Sequence, residues 1–304
     1  MKNKIFYFLF AAVFILTFAG CSGSSGNAEE TSILTTNEEP QPYPLTVNDT
    51  EITKTPEKII CLSPFLAEIL FEMDCGSKII ARSSYCDYPE EILSAEEVGN
   101  STSPDIDKII GLTPDLVLLT TPIAARDSFR LNQAGIACVT IPAPSSIKDL
   151  GSIYSSIGLI MNGLFTGKEK GEAAFSPISQ LLANPSSEKV GTFIYVTENL
   201  DIATGDTFES DVLSCFGTNL AQGLVNYEAD KSLFLDNQPD VIILNNKYTI
   251  EDLQNDENLS QLEAVKNNRI LFVDNEYFER PSARISNLIK NILSDYKKLI
   301  AADY

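Results

Sequence analysis

The amino-acid sequence predicts an α/β protein of two Rossmann-like lobes with a central cleft, joined by a long helical linker. Three observations carry that expectation. Short β-branched runs alternate with helical patterns along the chain, the mark of mostly parallel sheets. The segment LTPDLVLLTT (Leu112 to Thr121) is echoed by NQPDVIILNN (Asn237 to Asn246), each preceded by a helical stretch and followed by another helix and strand, so two lobes of similar build are expected. Between the echoes, Ser146 to about Asn184 shows helical spacing and no good strand.

Taken in order, the chain opens with Lys2 and Lys4 ahead of an almost wholly apolar run from Ile5 to Ala19, the layout of a signal peptide. At about 1.5 Å per helical residue that run spans roughly 22 Å, short of the roughly 30 Å of a hydrocarbon core, so a permanent transmembrane helix is the weaker reading. Phe18-Ala19-Gly20-Cys21 resembles a bacterial lipobox, with Phe18 where leucine is usual, and implies a lipid on the Cys21 sulfur. Residues 1–20 are therefore read as a lipoprotein signal peptide. Residues 21–48, rich in Ser, Gly, Glu and Thr, bury too little apolar surface to fold and read as a flexible tether.

Residues 49–145 are expected to form the first lobe, with strands at Lys58 to Leu62, Lys78 to Ala81, Leu116 to Thr120 and Cys138 to Ile141. Residues 146–186 form the linker. Ile147, Leu150, Ile153, Ile157 and Ile160 recur at helical spacing, as do Ala173, Ile178, Leu181 and Leu182, while Gly163, Gly167 and Pro177 argue against one unbroken helix. Residues 187–304 form the second lobe, with strands at Val190 to Val196, Val241 to Leu244 and Arg269 to Val273 and a terminal helix. In each lobe a Pro-Asp pair, Pro114-Asp115 and Pro239-Asp240, ends a helix and starts a buried strand, because proline disfavours helix in the residue before it. Lobes joined by helix enclose a cleft whose walls move little, a default ligand site.

Composition removes whole classes of function. Losing residues 1–20, which carry two lysines and no acid, takes the net charge from −20 to −22, so nucleic acid is not an expected partner and the acidity reads as a solvated surface. Histidine is absent, and with it the commonest metal ligand, proton shuttle and triad base. Cys61, Cys75, Cys86, Cys138 and Cys215 show no CxxC spacing, so neither a zinc cluster nor any other metal site is assigned. Cys61, Cys138 and Cys215 lie in apolar runs as small core hydrophobes, and one disulfide of unspecified pairing is possible outside the membrane. No catalytic residue or cofactor is assigned. A glycan-active enzyme working through paired carboxylates is the rival, yet no pair stands at a motif spacing and GxSxG, Walker and GxGxxG loops are absent. A surface interaction module would explain the tether but not two echoing lobes.

From Ile52 to Ile300 the chain resembles the helix-linked substrate-binding proteins that deliver cobalamin, ferric siderophores or haem to type II ABC importers. KIICLSP followed by AEIL (Lys58 to Pro64, Ala67 to Leu70) resembles the opening strand and helix, and SSYCDYPEE (Ser83 to Glu91) with YFERPSARI (Tyr277 to Ile285) is closest to the cobalamin-binding branch. The resemblance implies an extracytoplasmic, lipid-anchored monomer that hands a small molecule to a permease and its ATPase. A corrinoid is the implied ligand, with a hydroxamate siderophore or haem as alternatives. Contacts are implied from Tyr85 and Tyr88 on the first lobe and from Thr204, Phe208, Glu276, Tyr277, Phe278 and Arg280 on the second. Rings would pack on the macrocycle while hydroxyls and charges meet its side groups. The plainer readings are that Tyr88 packs its own loop beside Pro89, that Glu276 and Arg280 are surface ion-pair partners, and that Asp206 or Thr207 caps a helix. Arg82 is the other cation expected near the cleft, with Arg284 turned toward the terminal helix. Two departures stand out: GNSTS (Gly99 to Ser103) replaces a segment that carries a tryptophan in the enteric cobalamin binder, and the chain has no tryptophan. For permease docking the resemblance implies Asp107 on the first lobe and, less distinctly, Glu228 on the second.

Overall fold

A computed structural model describes residues 40–184 and 190–302. The residues read as signal peptide, Cys21 and the expected tether as far as residue 39 lie outside the described residues. No described helix is long and apolar enough to cross a membrane.

The first lobe contains β1 (Leu45–Val47), β2 (Thr50–Ile52), β3 (Ile59–Cys61), β4 (Ile79–Arg82), β5 (Glu96–Glu97), β6 (Leu116–Leu119) and β7 (Ala137–Thr140), with helices α1 (Pro64–Glu72), α2 (Ile106–Leu112) and α3 (Ala125–Gln133). Strands β3 to β7 form one parallel sheet in the order β5-β4-β3-β6-β7. Because side chains alternate across a strand, Ile59, Cys61, Leu116 and Leu118 face α1 while Ile60, Leu62, Val117 and Leu119 face α2 and α3. Burial on both faces is why these strands read as unbroken apolar runs.

The second lobe repeats the plan. It contains β8 (Gly191–Val196), β9 (Gly217–Asn219), β10 (Val241–Asn245) and β11 (Ile270–Val273), all parallel in the order β11-β10-β8-β9. Helices α5 (Phe208–Leu213) and α9 (Ile285–Ala302) pack on one face, and α6 (Ile250–Asn255) and α7 (Glu263–Lys266) on the other, with the short α8 (Glu276–Glu279) after β11. The two Pro-Asp pairs turn out to share a chemical role. Asp115 accepts the backbone N–H of Glu57 and Lys58 at 2.9 and 3.0 Å, and Asp240 accepts the N–H of Thr192 at 2.8 Å. Each aspartate thus ties the start of its own strand to the start of the neighbouring one.

The linker α4 (Ile147–Ala183) is helical throughout except at Gly163, whose φ of 73° lies in the left-handed region that favours glycine. The chain folds back there. Gly158 lies against Gly167, Gly171 against the Tyr154 carbonyl, and Gly151 against the Phe175 ring, so the two arms pack backbone to backbone through small residues. A side chain at Gly158 or Gly171 would force them apart. One apolar core runs from Cys61 and Leu66 through Leu150, Tyr154 and Ile157 of α4 to Phe193 and Ile289 of the second lobe.

The expectation of a tether running to residue 48 does not hold at its end. Residues 42–48 pack on the fold: Leu45 and Val47 are buried, the Tyr43 hydroxyl donates to the Ile160 carbonyl at 2.8 Å, and Asn48 and Asp49 turn the β1–β2 hairpin at positive φ. Asn48 and Thr50 then donate to the carbonyls of Thr140 and Cys138, hanging the hairpin on the β7 edge. Alternate apolar residues in LTV were the available signal, in a run too short to stand out.

Candidate functional site

In parallel sheets the loops leaving the carboxyl ends of the strands are where ligands are met. The first lobe's β4 exits into Ser83–Pro89 and the second lobe's β11 exits into Asp274–Arg284. Ser83 N–H donates to the Cys61 carbonyl and Cys86 N–H to the Ser83 carbonyl, a tight turn that leaves the Tyr85 side chain outside, 55% exposed. Across from it, Arg280 forms an ion pair with Asp87, bringing the two loops together. Asp87 is more than half exposed while Arg280 is 17% exposed, so water screens this contact from one side only. Arg280 beside it holds the Asp87 carboxyl below the ordinary carboxylate range.

Behind that rim lies a buried junction. Glu68 and Glu72 stand one turn apart on α1 and therefore on one face of it. Glu68 accepts from the Ser282 hydroxyl at 2.6 Å and pairs with Arg284 at 3.3 Å, while Glu72 accepts from the Ala283 N–H at 2.8 Å and from the Tyr154 hydroxyl. Arg284 also pairs with Glu276 at 2.9 Å and lies 5.0 Å from the Tyr88 ring and 5.7 Å from the Tyr277 ring. A guanidinium between aromatic faces is a favourable cation–π arrangement. Arg284 therefore faces the lobe junction, and not the terminal helix as expected from sequence. Burial pushes both glutamates above the ordinary carboxylate value, opposed by these hydrogen bonds and, for Glu68, by Arg284.

The residues expected to touch ligand fall into distinct environments. Tyr85 is free at the rim. Tyr88 is half exposed, with its ring against Arg284, and Tyr277 is half-buried, accepting from Asn291 through its hydroxyl. Glu276 and Arg280 do not pair with each other as the plainer reading had it; each has a different partner. Thr204 is fully buried, its hydroxyl donating to Asp206 at 2.6 Å and accepting from Tyr227 N–H at 3.0 Å, so it shapes its loop and does not face the cleft. Phe208 is core, and Thr207 caps α5 through Ser210 N–H. Phe278 is 8% exposed and packs on Tyr195 with ring centroids 5.4 Å apart. Arg82 is largely buried, bonded to the Ser83 carbonyl and near Glu97.

At the exits of β8 and β11 a hollow of about 260 Å³ opens beside Phe278, lined by Glu198, Asp201, Glu209 and Glu279 together with Tyr227 and Asn275, and by no basic side chain. A larger hollow of about 620 Å³, bordered by Lys54, Asp115 and Cys138, lies at the amino ends of the first lobe's strands, away from the strand exits. Of the acids expected to dock a permease, Asp107 is highly exposed on the first turn of α2 and paired with Arg130, and Glu228 is exposed. Sequence reasoning missed Glu68, Glu72, Tyr154 and Ser282. The available signal was two acids four apart inside the apolar helix PFLAEILFE.

The raised glutamates have a pH signature. A carboxyl whose folded-state value is raised contributes stability that is fully present below its ordinary value and lost as pH climbs through the raised one. In Glu72→Gln that loss is absent for this position. Unfolding free energy by urea, variant minus parent, should therefore increase as pH rises from about 4 to about 7. A difference that stays flat across that range would mean Glu72 titrates as an ordinary surface carboxylate.

Residues 59–175 match the family model described as periplasmic binding protein. The chain is 27% identical over 298 residues, 91% of each chain, to an uncharacterised ABC transporter substrate-binding lipoprotein, YvrC, of Bacillus subtilis. It is 24% identical over 249 residues to a vitamin B12-binding protein of Vibrio parahaemolyticus, covering 80% of this chain and 90% of that one. Among solved structures, the siderophore-binding protein BauB, bound to acinetobactin and ferric iron, superposes with a TM-score of 0.62 at 16% identity over 84% of this chain and 99% of that one, a likeness of fold. The match of residues 59–175 and the relatives aligned along most of the chain make it similar to the substrate-binding proteins of ABC importers, and the solved structure shares its two-lobed fold.

Proposed function

We propose that this protein captures a corrinoid between its lobes and delivers it to an ABC permease and its ATPase, held at the membrane by a lipid on Cys21. The observation that carries the choice of ligand is the charge pattern at the strand exits. Arg280 and Arg284 are paired with carboxylates and the second-lobe hollow is lined by acids, so a strongly anionic ferric chelate would meet repulsion. A corrin ring instead presents a broad apolar face and peripheral amides. Tyr85 offers it a ring and a hydroxyl, and the exposed Tyr88 ring, the half-buried Tyr277 and the Arg280–Asp87 and Glu276 groups supply further aromatic and polar contacts in this reading. The relative that is named a vitamin B12-binding protein points the same way. A hydroxamate siderophore of low charge is the second reading, favoured by the likeness of fold to a siderophore binder. Haem fits less well, because without histidine its iron would need a tyrosinate such as Tyr85.

Calorimetric titration of the full chain in detergent with cyanocobalamin, cobinamide, haem and a ferric hydroxamate tests the reading. Saturable corrinoid binding is expected, weakened about 5- to 150-fold by Tyr85→Ala, the equivalent of about 1–3 kcal/mol for a lost aromatic contact and its hydrogen bond. Tight binding of the hydroxamate with no corrinoid heat would overturn the ligand and leave the carrier. In vesicles bearing the permease, Cys21→Ala should abolish fatty-acid labelling and Asp107→Lys should lower uptake, both with unchanged ligand affinity; uptake equal to the parent in Asp107→Lys removes that acid from the docking face.

A further inference from the structure

We propose that Cys61 and Cys86 are a redox pair that closes a disulfide beneath the loop carrying Tyr85, an inference independent of which ligand the cleft takes. Cys61 ends β3 and Cys86 lies in the turn after β4, the parallel strand beside it, where Cys61 is in register with Arg82. The turn curls back over the strand end: Ser83 N–H donates to the Cys61 carbonyl at 3.0 Å, Cys86 N–H donates to the Ser83 carbonyl at 3.1 Å, and the Cys86 thiol approaches the Cys61 carbonyl at 3.6 Å. The Cys61 thiol donates to the Ser63 carbonyl at 3.3 Å, the Cys86 thiol lies 3.3 Å from the Ser83 hydroxyl, and both cysteines are fully buried. Cys75 and Cys138 likewise hydrogen-bond to nearby carbonyls, of Met73 and Ile136, and what sets Cys61 apart is the Cys86 thiol against its own carbonyl. Neither transport nor the lobe junction uses the Cys61–Cys86 contact. Two buried cysteines brought together under a surface loop, in a protein similar to a substrate-binding lipoprotein, are placed for oxidation.

The oxidant is a disulfide, R–S–S–R, acting by exchange. The Cys86 thiol is the better nucleophile: its bonds with Cys61 and Ser83 hold it below the ordinary thiol range, whereas burial pushes Cys61 well above it. Cys86 thiolate attacks one sulfur of R–S–S–R, forming a Cys86–S–S–R bond and releasing one RS⁻. Cys61 thiolate then attacks the Cys86 sulfur, forming the Cys61–Cys86 bond and releasing the second RS⁻. The two cysteine protons leave with the two thiolates, so two cysteines are oxidised and one R–S–S–R is reduced to two RSH. Access requires the Ser83–Pro89 loop to lift, which also breaks the Asp87–Arg280 rim contact. Once closed, the bridge would fasten the loop to the core strand and restrict the Tyr85 rim.

The test uses the full chain, equilibrated with reduced and oxidised glutathione, then denatured, alkylated and mapped by mass spectrometry. A second arm unfolds the reduced chain and refolds it in the same mixture, so that inaccessible thiols cannot explain a negative result. A linked Cys61–Cys86 peptide pair is expected in either arm, with Cys75, Cys138 and Cys215 alkylated and no linked pair in Cys86→Ser. Oxidant should also raise the unfolding midpoint of the parent and leave that of Cys86→Ser unmoved. Recovery of Cys61 and Cys86 in both arms as free thiols, as glutathione adducts only, or joined to other cysteines would overturn the assignment.

Discussion

The site depends on two carboxylates withdrawn from water, Glu68 fully and Glu72 in part. Glu68 and Glu72 project from α1 of the first lobe and end on Ser282, Ala283 and Arg284 of the second, more than two hundred residues later in the chain. A carboxylate taken out of water without partners is costly, and here the oxygens of both side chains find donors across the junction and from Tyr154 on the linker. Those donors exist only in one relative placement of lobes and linker. Arg284, held by Glu68, in turn lies against the Tyr88 and Tyr277 rings and so positions both strand-exit loops. The apolar core that continues through α4 adds a non-directional contribution, and the glutamates give the contact its register.

This division sorts strong contacts from weak ones at the opening. The junction is buried and fully partnered, whereas the Asp87–Arg280 pair at the rim is half in water. The rim pair has its carboxylate in water and its guanidinium largely covered, while the junction behind it is closed by hydrogen bonds. Tyr85, which has no such duty, remains available. The charge pattern follows the same logic: in a chain of net charge −20, the cations that approach the cleft are drawn to carboxylates first, which leaves little positive field for an anionic guest.

Much of the architecture was legible because parallel strands buried on both faces write themselves as apolar runs. The runs at 58–62, 116–120, 190–196 and 241–244 correspond to observed strands within a residue or so. The internal echo was visible, but its cause was not: Asp115 and Asp240 stitch neighbouring strand starts, a pairing that needs the sheet order to be seen. Gly163 was marked as a break, and the fold-back follows from its positive φ and the facing glycines. Strands β1, β2, β5 and β9, of two or three residues, carry too little periodicity to detect. At the site, Tyr85 is exposed, whereas Thr204 and Phe208 are buried, because a hydroxyl and a ring give no sign in sequence of which way a loop will turn them. Glu68 and Glu72 were passed over inside a helix otherwise read as packing, since their partners lie a whole lobe away.

The central claim is that these glutamates fix the lobes' relative placement. Dipolar spectroscopy between spin labels at Phe129 on the first lobe and Val225 on the second, both well exposed, reads that placement directly. The account predicts one narrow distance distribution in the parent, little changed by saturating ligand, and a broad one in Glu68→Ala/Glu72→Ala. A parent distribution as broad as that of the double variant, or a double variant as narrow as the parent, would contradict it.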